Sequence, residues 1–428
     1  MTDPRTFFTV LFEAAVAAAD PAVVIRDFLP GRPKGRVVVV GAGKASVPMA
    51  AAFDAAWDGP LTGIIVTRHG QGGGRGGACG RIAVLEAAHP VPDEAGLEAT
   101  ARLFDAVRGL GPDDLVVALI SGGGSALLPW PPPGMSLADE IAVNEALLAS
   151  GAPISAMNTV RKHLSAIKGG WLALAAHPAK VVTLVVSDIP GDNPAFVASG
   201  PTVADGASRR DALAIVAEYG LALPDAAMRH LATPAADAPL PDDPRLAGNE
   251  VHVIASAARS LEAAARAAAR HGVEAVILSD SIEGEARDVA GVHAAIAREI
   301  ALRDRPFRKP VVLLSGGETT VTMRSRGGPG GGRGGRNGEF LLAFALAVDG
   351  HAGIHAFAAD TDGIDGTGDN AGAFADGTSA GRMRAAGLDP RAALARNDAF
   401  AAFAALGDLF SPGPTGTNVN DLRAVLVR

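Results

Sequence analysis

Cysteine and aromatic residues are scarce in this 428-residue sequence, which contains one cysteine and 4% aromatic residues. Because the thiol of Cys79 has no second cysteine to pair with, an intrachain disulfide and a cysteine-rich metal site are both excluded. A protein without disulfides suits a reducing compartment, so we expect it to be cytoplasmic.

Positive charge and long apolar runs are also lacking. The net charge is −8, and an acidic surface does not attract nucleic acid or anionic membranes, so we expect neither as a partner. The longest uncharged stretch, residues 115–138, contains runs of glycine and proline that would break a membrane helix. The first 20 residues place Glu13 inside an apolar run, which indicates an amphipathic helix rather than a signal peptide.

The patterns that are present indicate an α/β protein with two domains. A chain of this length is too long for one ordinary hydrophobic core. Short runs of β-branched residues, such as RVVVV at 36–40, alternate with helical patterns, which is typical of Rossmann-like, doubly wound sheets. The Ala- and Pro-rich segment 221–248 contains no obvious strand. We place the boundary inside it and predict domains at 1–240 and 241–428.

Two stretches combine a buried strand with a Ser-Gly-Gly turn: LVVALISGGGSALLP at 115–129 and VVLLSGGETT at 311–320. A glycine turn between a strand and a helix leaves backbone N–H groups free to face an anion. We therefore predict two glycine-lined walls around one phosphorylated ligand. The predicted nucleotide- and phosphate-binding residues of these turns are Ser121, Gly122, Gly123, Gly124, Ser125, Ser315, Gly316, Gly317 and Glu318.

A third turn, Gly41-Ala-Gly43-Lys44, follows the strand at 36–40. A dinucleotide fingerprint would have glycine in place of Ser46 and an acidic residue in place of Arg68, and a Walker A loop differs at two positions. Neither motif fits, but a lysine beside backbone amides is suited to a phosphate or carboxylate. We predict that Gly41, Gly43 and Lys44 bind phosphate; the alternative is a solvated lysine without a function.

Asp188 and Asp192 flank Ile-Pro-Gly at the carboxyl end of a strand at 180–186. Open α/β sheets bind ligands at this end of their strands. Two carboxylates four residues apart are able to hold Mg²⁺ or to accept a proton from a hydroxyl group. We predict a metal site here; the alternative is an Asx-type turn that ends the strand.

Four arginines lie among glycines at residues 324–336, and the last of them, Arg336, stands with Asn337 at the start of a helical pattern. The segment has two interpretations. An RGG-like disordered segment would act together with aromatic residues, and this loop has none before Phe340. We favour a loop that delivers Arg336 to a transferring phosphoryl group, because a helix start can hold the side chain in place.

An acidic loop at 360–370 contains Asp360, Asp362, Asp365, Asp369 and Asn370. Its spacing differs from that of a calcium-binding EF-hand loop. Turn formation at two Asp-Gly pairs explains half of the pattern. Metal or substrate binding is the functional interpretation of the rest.

Nine motifs, taken in order, resemble those of the glycerate 2-kinase family, the MOFRL-type glycerate kinases: GAGKA, ISGGGSALL, NTVRKHLSAIKGG, SDIPGD, ASGPT, LSGGETTV, GRGGRN, AADTDGIDG and GPTGTNVNDL. The resemblance extends over nearly the whole chain. The sequence departs from the family at Gly338, where glutamine is frequent, and at 255–257, where Ala-Ser-Ala replaces Gly-Ser-Asn.

The resemblance implies ATP-dependent phosphorylation of D-glycerate at O2 to give 2-phosphoglycerate, with Mg²⁺ as the metal. It also implies an active site in a cleft between two α/β domains, the second of MOFRL type, with Lys44 and Arg336 as the key cations. With Asp188, these residues form our predicted catalytic set. We predict that Asn337, Asp362 and Asp365 bind the substrate.

Two other functions compete with this interpretation. An NAD(P)H-dependent hydroxypyruvate reductase would need a dinucleotide site, for which the Gly41 turn is poorly suited. A sugar- or anion-sensing module would need an appended DNA-binding or oligomerisation segment, and the sequence pattern indicates neither. A homodimer is left open as the assembly.

Overall fold

The computed structural model describes residues 3–72, 77–323, 332–366 and 368–428. Its contacts divide the chain into two compact units. One unit is Val24–Ile254, which we call the central unit. The other joins the start of the chain, up to Val23, to Ala255–Arg428, and we call it the terminal unit.

The central unit contains a sheet of seven strands among the described residues. They are β1 (Val37–Ala42), β2 (Thr62–Arg68), β3 (Ala78–Cys79), β4 (Ile82–Ala87), β5 (Leu115–Ser121), β6 (Lys180–Val186) and β7 (Glu250–Ala255). Their order across the sheet is β3-β4-β2-β1-β5-β6-β7. Strands β4, β2, β1, β5 and β6 pair in parallel, and the short β3 pairs antiparallel with β4.

Parallel pairing determines where the predicted turns lie. All six residues of β1 are buried, as expected for a central strand that is covered on both faces. Val38 pairs with Thr62 of β2, and Val37 pairs with Leu115 of β5. Because β1, β5 and β6 are parallel neighbours, the turns that follow them meet at one edge of the sheet.

In the part of the terminal unit that the structure describes there is a six-stranded sheet and a two-stranded pair. Their strands are β8 (Glu274–Ser279), β9 (Gly284–Glu285), β10 (Val311–Ser315), β11 (Thr319–Thr320), β12 (Ile354–Asp360), β13 (Gly372–Asp376), β14 (Leu409–Phe410) and β15 (Asp421–Val427). The larger sheet has the order β14-β13-β12-β15-β10-β8. Only β8 and β10 are parallel in it, whereas β15 runs antiparallel to both β10 and β12. The α/β class is confirmed in both units, but the second sheet is mixed rather than doubly wound.

Helices lie between the strands in both units. The α-helices are α1 (Pro4–Ala17), α2 (Pro21–Val24), α3 (Ser46–Ala56), α4 (Glu94–Val107), α5 (Gly124–Leu127), α6 (Leu137–Ala149), α7 (Ile154–His163), α8 (Trp171–Ala176), α9 (Arg209–Glu218), α10 (Asp225–Leu231), α11 (Ala257–Arg270), α12 (Ala286–Arg303), α13 (Arg336–Ala347), α14 (Ser379–Ala385), α15 (Pro390–Ala395) and α16 (Ala399–Ala404). Short 3₁₀ helices are Ile25–Phe28, Pro190–Asp192, Val197–Ser199 and Pro234–Ala236. In the described part of the chain no single helix is long and apolar enough to span a membrane. Two helices bent by 55°, Pro4–Ala17 and Pro21–Phe28, reach the required length and apolar composition only when they are taken together.

The predicted domains, 1–240 and 241–428, differ from these units in two places. Helix α1 belongs to the terminal unit, where Phe8 stacks on Phe357 with ring centroids 5.9 Å apart. Strand β7 adjoins β6 at the edge of the first sheet, and Asn249 Oδ1 accepts a hydrogen bond of 2.8 Å from the amide of Val181. Residues 221–248 contain α10 and no strand, as expected, but the units separate after them.

Candidate active site

In the central unit, the turns after β1 and β5 are joined by hydrogen bonds. The amide of Lys44 donates to Gly122 O at 2.9 Å, and the amide of Ala45 donates to Ser121 Oγ at 3.0 Å. Gly43 has φ of 131°, and a Cβ atom there would lie 2.2 Å from Ser121 Oγ. Glycine is therefore required at this position for the two turns to approach each other.

The Ser46 side chain stabilises the turn after β1 by hydrogen bonds to the backbone. Its hydroxyl, fully buried, lies 2.7 Å from Gly43 O and 3.1 Å from Val66 O, so it serves as a donor to the backbone. A dinucleotide-binding turn would have a glycine here for close packing of helix on strand. The structure accommodates serine by giving its hydroxyl two carbonyl partners.

A histidine and a lysine lie against the Gly123 turn. Gly123 has φ of 82°, and a Cβ atom there would lie 3.2 Å from His89 Nε2 and 3.3 Å from Lys44 Cγ. Burial lowers the pKa of His89, and the charges of Lys44 and Arg68 lower it further. His89 is therefore neutral near pH 7, while Lys44 and Arg68 supply positive charge at this edge of the sheet.

A carboxylate lies against the same turn. A Cβ atom on Gly122 would come within 1.5 Å of Asp188 Oδ2, so the Asp188 side chain occupies the space beside this glycine. Asp192 is half-buried at the end of the following 3₁₀ helix, with a left-handed φ of 52°. Among the described residues, no group of three or more His, Cys, Asp or Glu side chains is arranged to hold a metal ion. Asp188 thus places a carboxylate next to a glycine turn.

In the terminal unit, Arg336 is surrounded by carboxylates. Its Nε atom lies 2.8 Å from Asp421 Oδ1, one Nη atom lies 2.7 Å from Glu318 Oε1, and the other lies 2.6 Å from Asp360 Oδ2. A guanidinium group has five N–H donors, so three of them are engaged. The Arg336 side chain is 22% exposed.

The charges and the burial of this cluster shift the pKa values of Arg336 and Asp360. Burial would lower the pKa of Arg336, but Asp421, Asp360 and Glu318 outweigh that effect and raise it. Burial raises the pKa of Asp360, Arg336 opposes this rise, and the neighbouring carboxylates Asp421 and Asp362 add to it. Fully buried Arg423 is a second cation of the cluster and donates to Asp421 Oδ2.

Asp365 holds the start of α13 in place. Its two carboxylate oxygens accept hydrogen bonds from the amides of Asn337, at 3.0 Å, and Gly338, at 2.8 Å. Burial raises the pKa of Asp365 to about 6, and the two amide hydrogen bonds limit the rise. The predicted substrate-binding role of Asp365 stays a prediction, because both oxygens serve here as the N-terminal cap of the helix that carries Arg336.

The Ser315-Gly316-Gly317-Glu318 turn follows β10. Ser315 Oγ lies 2.9 Å from Nε2 of buried His293, whose Nδ1 lies 2.9 Å from Val289 O. Gly317 has φ of 101°, and a Cβ atom there would lie 2.3 Å from the amide nitrogen of Ile282. The serine therefore faces into the protein, and Glu318 reaches Arg336.

Two more predicted substrate-binding residues, Asn337 and Asp362, make contacts within the terminal unit. Asn337 Nδ2 donates to Asp421 Oδ1 at 2.8 Å, and Asp362 Oδ1 accepts from the amide of Ile364 at 2.8 Å, in an Asx-type turn. Arg324 and Arg326, from the predicted arginine loop, lie outside the described residues.

The structure thus brings the predicted residues together in two groups, one in each unit. Gly41, Gly43, Lys44, Asp188 and the turn at 121–125 meet in the central unit, and Arg336, Asn337, Asp365 and the turn at 315–318 meet in the terminal unit. The predicted cleft stays a prediction.

Sequence reasoning missed Asp421 and Arg423 as partners of the Arg336 cluster. Both belong to β15, whose seven residues are all buried. An aspartate and an arginine in an otherwise apolar strand, DLRAVLV, are unusual, because buried charges need partners. The sequence alone could therefore have indicated Asp421 and Arg423 as a buried, paired set of charges.

Glycine turns at strand ends with cations beside them are typical of α/β enzymes that bind phosphorylated ligands. Comparison with known proteins defines the class further. A family model described as "Domain of unknown function (DUF4147)" matches residues 7–232, and the MOFRL family model matches residues 311–421.

Relatives match nearly the whole chain. A D-glycerate 2-kinase of Thermotoga maritima is 38% identical, over 99% of each chain. A crystal structure of a glycerate kinase from that organism has a TM-score of 0.88, at 37% identity, over 99% of this chain and 100% of that one. A protein of Agrobacterium vitis with the provisional name hydroxypyruvate reductase is 56% identical, over 97% of this chain and 93% of its own. The chain belongs to the glycerate kinase family.

Proposed function

We propose that the protein transfers the γ-phosphoryl group of ATP to the 2-hydroxyl of D-glycerate, giving 2-phosphoglycerate and ADP. The similarity to the T. maritima D-glycerate 2-kinase over nearly all of both chains supports this activity. The observation that carries it is the pair of cations, Lys44 and Arg68, around neutral His89 at the Gly123 turn. Local positive charge beside a glycine turn suits a polyphosphate in a protein whose net charge is −8.

In the proposed reaction, the substrate O2 forms a bond to the γ-phosphorus while the bond from that phosphorus to the ADP oxygen breaks. The hydroxyl proton passes to a carboxylate, for which Asp188 is our candidate. Lys44 stabilises the negative charge that develops on the transferring group, and Arg336 is the second cation that the family resemblance implies. The amides of the turn at 121–125 hold the phosphates, whereas in the second Ser-Gly-Gly turn the amide of Gly316 already donates to Ser279 O at 2.8 Å.

Mg²⁺ is expected to accompany ATP. Asp188 fits this role, because Mg²⁺ is usually bound by one or two protein carboxylates together with substrate phosphates. Its carboxylate lies directly beside Gly122, in one of the predicted phosphate turns. When bound, the ion would neutralise phosphate charge. Asp192 is the second predicted ligand, and it lies four residues further along the chain.

Reduction of hydroxypyruvate is the competing function, because a 56% identical relative carries that provisional name. Two features of the central unit disfavour it. Ser46 takes the place of the third glycine of a dinucleotide fingerprint, and its hydroxyl is used by the backbone. Arg68 ends β2, where an acidic residue would be needed for the ribose hydroxyls.

One pair of assays separates the two functions. Purified protein with D-glycerate, ATP and Mg²⁺ should release ADP at a rate that depends on D-glycerate. The same protein with hydroxypyruvate and NADH or NADPH should leave the nicotinamide reduced. Oxidation of the nicotinamide without ADP release would replace the proposed kinase with the reductase.

A further inference from the structure

Three polar side chains form a hydrogen-bonded chain that runs from the Gly123 turn into α7. Ser125 Oγ lies 2.7 Å from Ser199 Oγ, and Ser199 Oγ lies 2.9 Å from Asn158 Oδ1. Ser199 and Asn158 are only 2% and 3% exposed. Their polar atoms therefore depend on each other rather than on solvent for partners.

The direction of this chain follows from counting protons. Asn158 Nδ2 donates to Phe196 O at 3.3 Å, which orients the amide so that Oδ1 faces Ser199. An amide oxygen only accepts, so the proton in the 2.9 Å contact belongs to Ser199. A hydroxyl has one proton, and the proton in the 2.7 Å contact must therefore come from Ser125.

Ser125 consequently directs its proton into the protein and its remaining lone pairs outward. The residue is half-buried and lies in the first turn of α5, within the predicted phosphate turn. Lone pairs on a hydroxyl oxygen repel a phosphate oxygen and attract a cation or a hydrogen-bond donor. This geometry favours a phosphate contact through the backbone amide of Ser125 rather than through its side chain, and the predicted phosphate-binding role of Ser125 stays a prediction.

Building on the proposed function, we propose that Ser125 Oγ binds an electron-pair acceptor in the active site. Two groups of the reaction have that chemistry: the divalent cation and a hydroxyl proton of the hydroxyacid substrate. Ser199 is a positioning residue, because it acts only by orienting the Ser125 hydroxyl.

The backbone around Ser199 supports this assignment. Ala198 and Ser199 have left-handed φ values of 53° and 58°, a conformation that residues other than glycine keep only where their surroundings hold them. A Cβ atom on Gly124 would lie 2.6 Å from Ala198 Cβ, so the strained segment packs directly on the phosphate turn. Strain of this kind concentrates at functional sites.

Three binding measurements on Ser125→Ala test the proposal. They are Mn²⁺ affinity in the presence of ADP, by electron paramagnetic resonance; D-glycerate affinity, by calorimetry; and ATP affinity in EDTA. We expect either the Mn²⁺ or the D-glycerate affinity to fall roughly tenfold, as for the loss of one polar contact, with ATP affinity in EDTA unchanged. The affinity that falls identifies the bound group.

Controls separate a local effect from a general one. Ser125→Thr keeps the hydroxyl and should restore most of the lost affinity, whereas Ser155→Ala changes an exposed serine of α7 and should alter nothing. Ser199→Ala frees the Ser125 proton and should weaken the same ligand, by a smaller factor. A fall in ATP affinity alone, or no change in any affinity, would overturn the proposal.

Failure of the Ser125 proposal can be distinguished from failure of the proposed kinase function. If the wild-type protein binds ADP with Mn²⁺ but releases no ADP from ATP in the presence of D-glycerate, the kinase proposal is lost. The Mn²⁺ and D-glycerate binding measurements on Ser125→Ala would together still decide whether Ser125 Oγ binds an electron-pair acceptor.

Discussion

The two cations predicted at the phosphoryl group have opposite electrostatic surroundings. In the described part of the chain, Lys44 has no carboxylate partner. Its neighbour at the Gly123 turn is His89, whose pKa is lowered by burial and by the charges of Lys44 and Arg68. Arg336 instead donates hydrogen bonds to three carboxylates. A similar position, in a turn near a helix start, therefore does not imply a similar role: Lys44 is available to a ligand, whereas Arg336 also holds its own unit together.

The largest expected effect is on catalysis by Lys44→Ala. Loss of a cation that stabilises charge only in the transition state should lower kcat on the order of 10²–10⁴-fold, with a smaller change in KM. Because Lys44 has no carboxylate partner among the described residues, Tm should not change. Steady-state kinetics and thermal unfolding measure the two quantities.

Lys34→Ala is the matched control, since Lys34 is exposed just before β1. It should keep wild-type kcat. If Lys44→Ala also keeps wild-type kcat, Lys44 has no catalytic role and the contrast with Arg336 is lost.

Arg336→Ala should combine lost activity with lost stability. The substitution removes the cation that Asp360, 5% exposed, contacts, and leaves Asp421, 2% exposed, with Arg423 as its remaining cation. Breaking a buried ion pair by removing one partner costs roughly 3–5 kcal/mol of unfolding free energy. Denaturant unfolding measures this change, and kcat should fall with it, on the order of 10²–10⁴-fold.

Arg336→Lys should recover only part of both losses, because an ammonium group does not reproduce the three directions of the guanidinium contacts. Arg333→Ala is the control: its partner Asp369 is 83% exposed, so its ion pair contributes at most about 1 kcal/mol. Full stability in Arg336→Ala would remove the distinction between the two cations.

The sequence predicts the strands and glycine turns of this site, but not the partners of Arg336. The β-branched run at 180–186 predicts β6 with its observed bounds, and the glycine turns fall at the strand ends as expected. The partners of Arg336 could not be predicted, because Asp421 is 85 residues away and reaches it only through the antiparallel pairing of β15 with β12. Likewise, the apolar pattern of α1 predicts a helix but not the sheet on which it packs.

A pH titration of stability sharpens the description of the terminal unit. Asp365 has a pKa of about 6 in the folded protein, above its unfolded value of about 4, so the folded state binds this proton more tightly. The associated stability is complete below about pH 4 and is lost as the pH rises through about 6, a change of roughly 2–3 kcal/mol.

Denaturant unfolding of the wild type and of Asp365→Asn, compared between pH 4 and 7, measures this contribution. The variant should lack the part of the pH dependence that Asp365 causes. Identical pH profiles would show that Asp365 has the same pKa in the folded and unfolded states.

The smallest effect is expected for Glu318→Gln. Glu318 is 55% exposed, so its ion pair with Arg336 is screened by solvent and should contribute less than about 1 kcal/mol. Stability should change by no more than this, and kcat by only a few-fold. A large fall in kcat at unchanged stability would instead make Glu318 a member of the catalytic set.

Phosphorus NMR of the wild-type reaction tests the central claim most directly. With D-glycerate, ATP and Mg²⁺, the account predicts a new phosphomonoester resonance that coincides with added 2-phosphoglycerate and grows in equal amount with ADP. A resonance that coincides with 3-phosphoglycerate, or ADP formed together with inorganic phosphate alone, would contradict it.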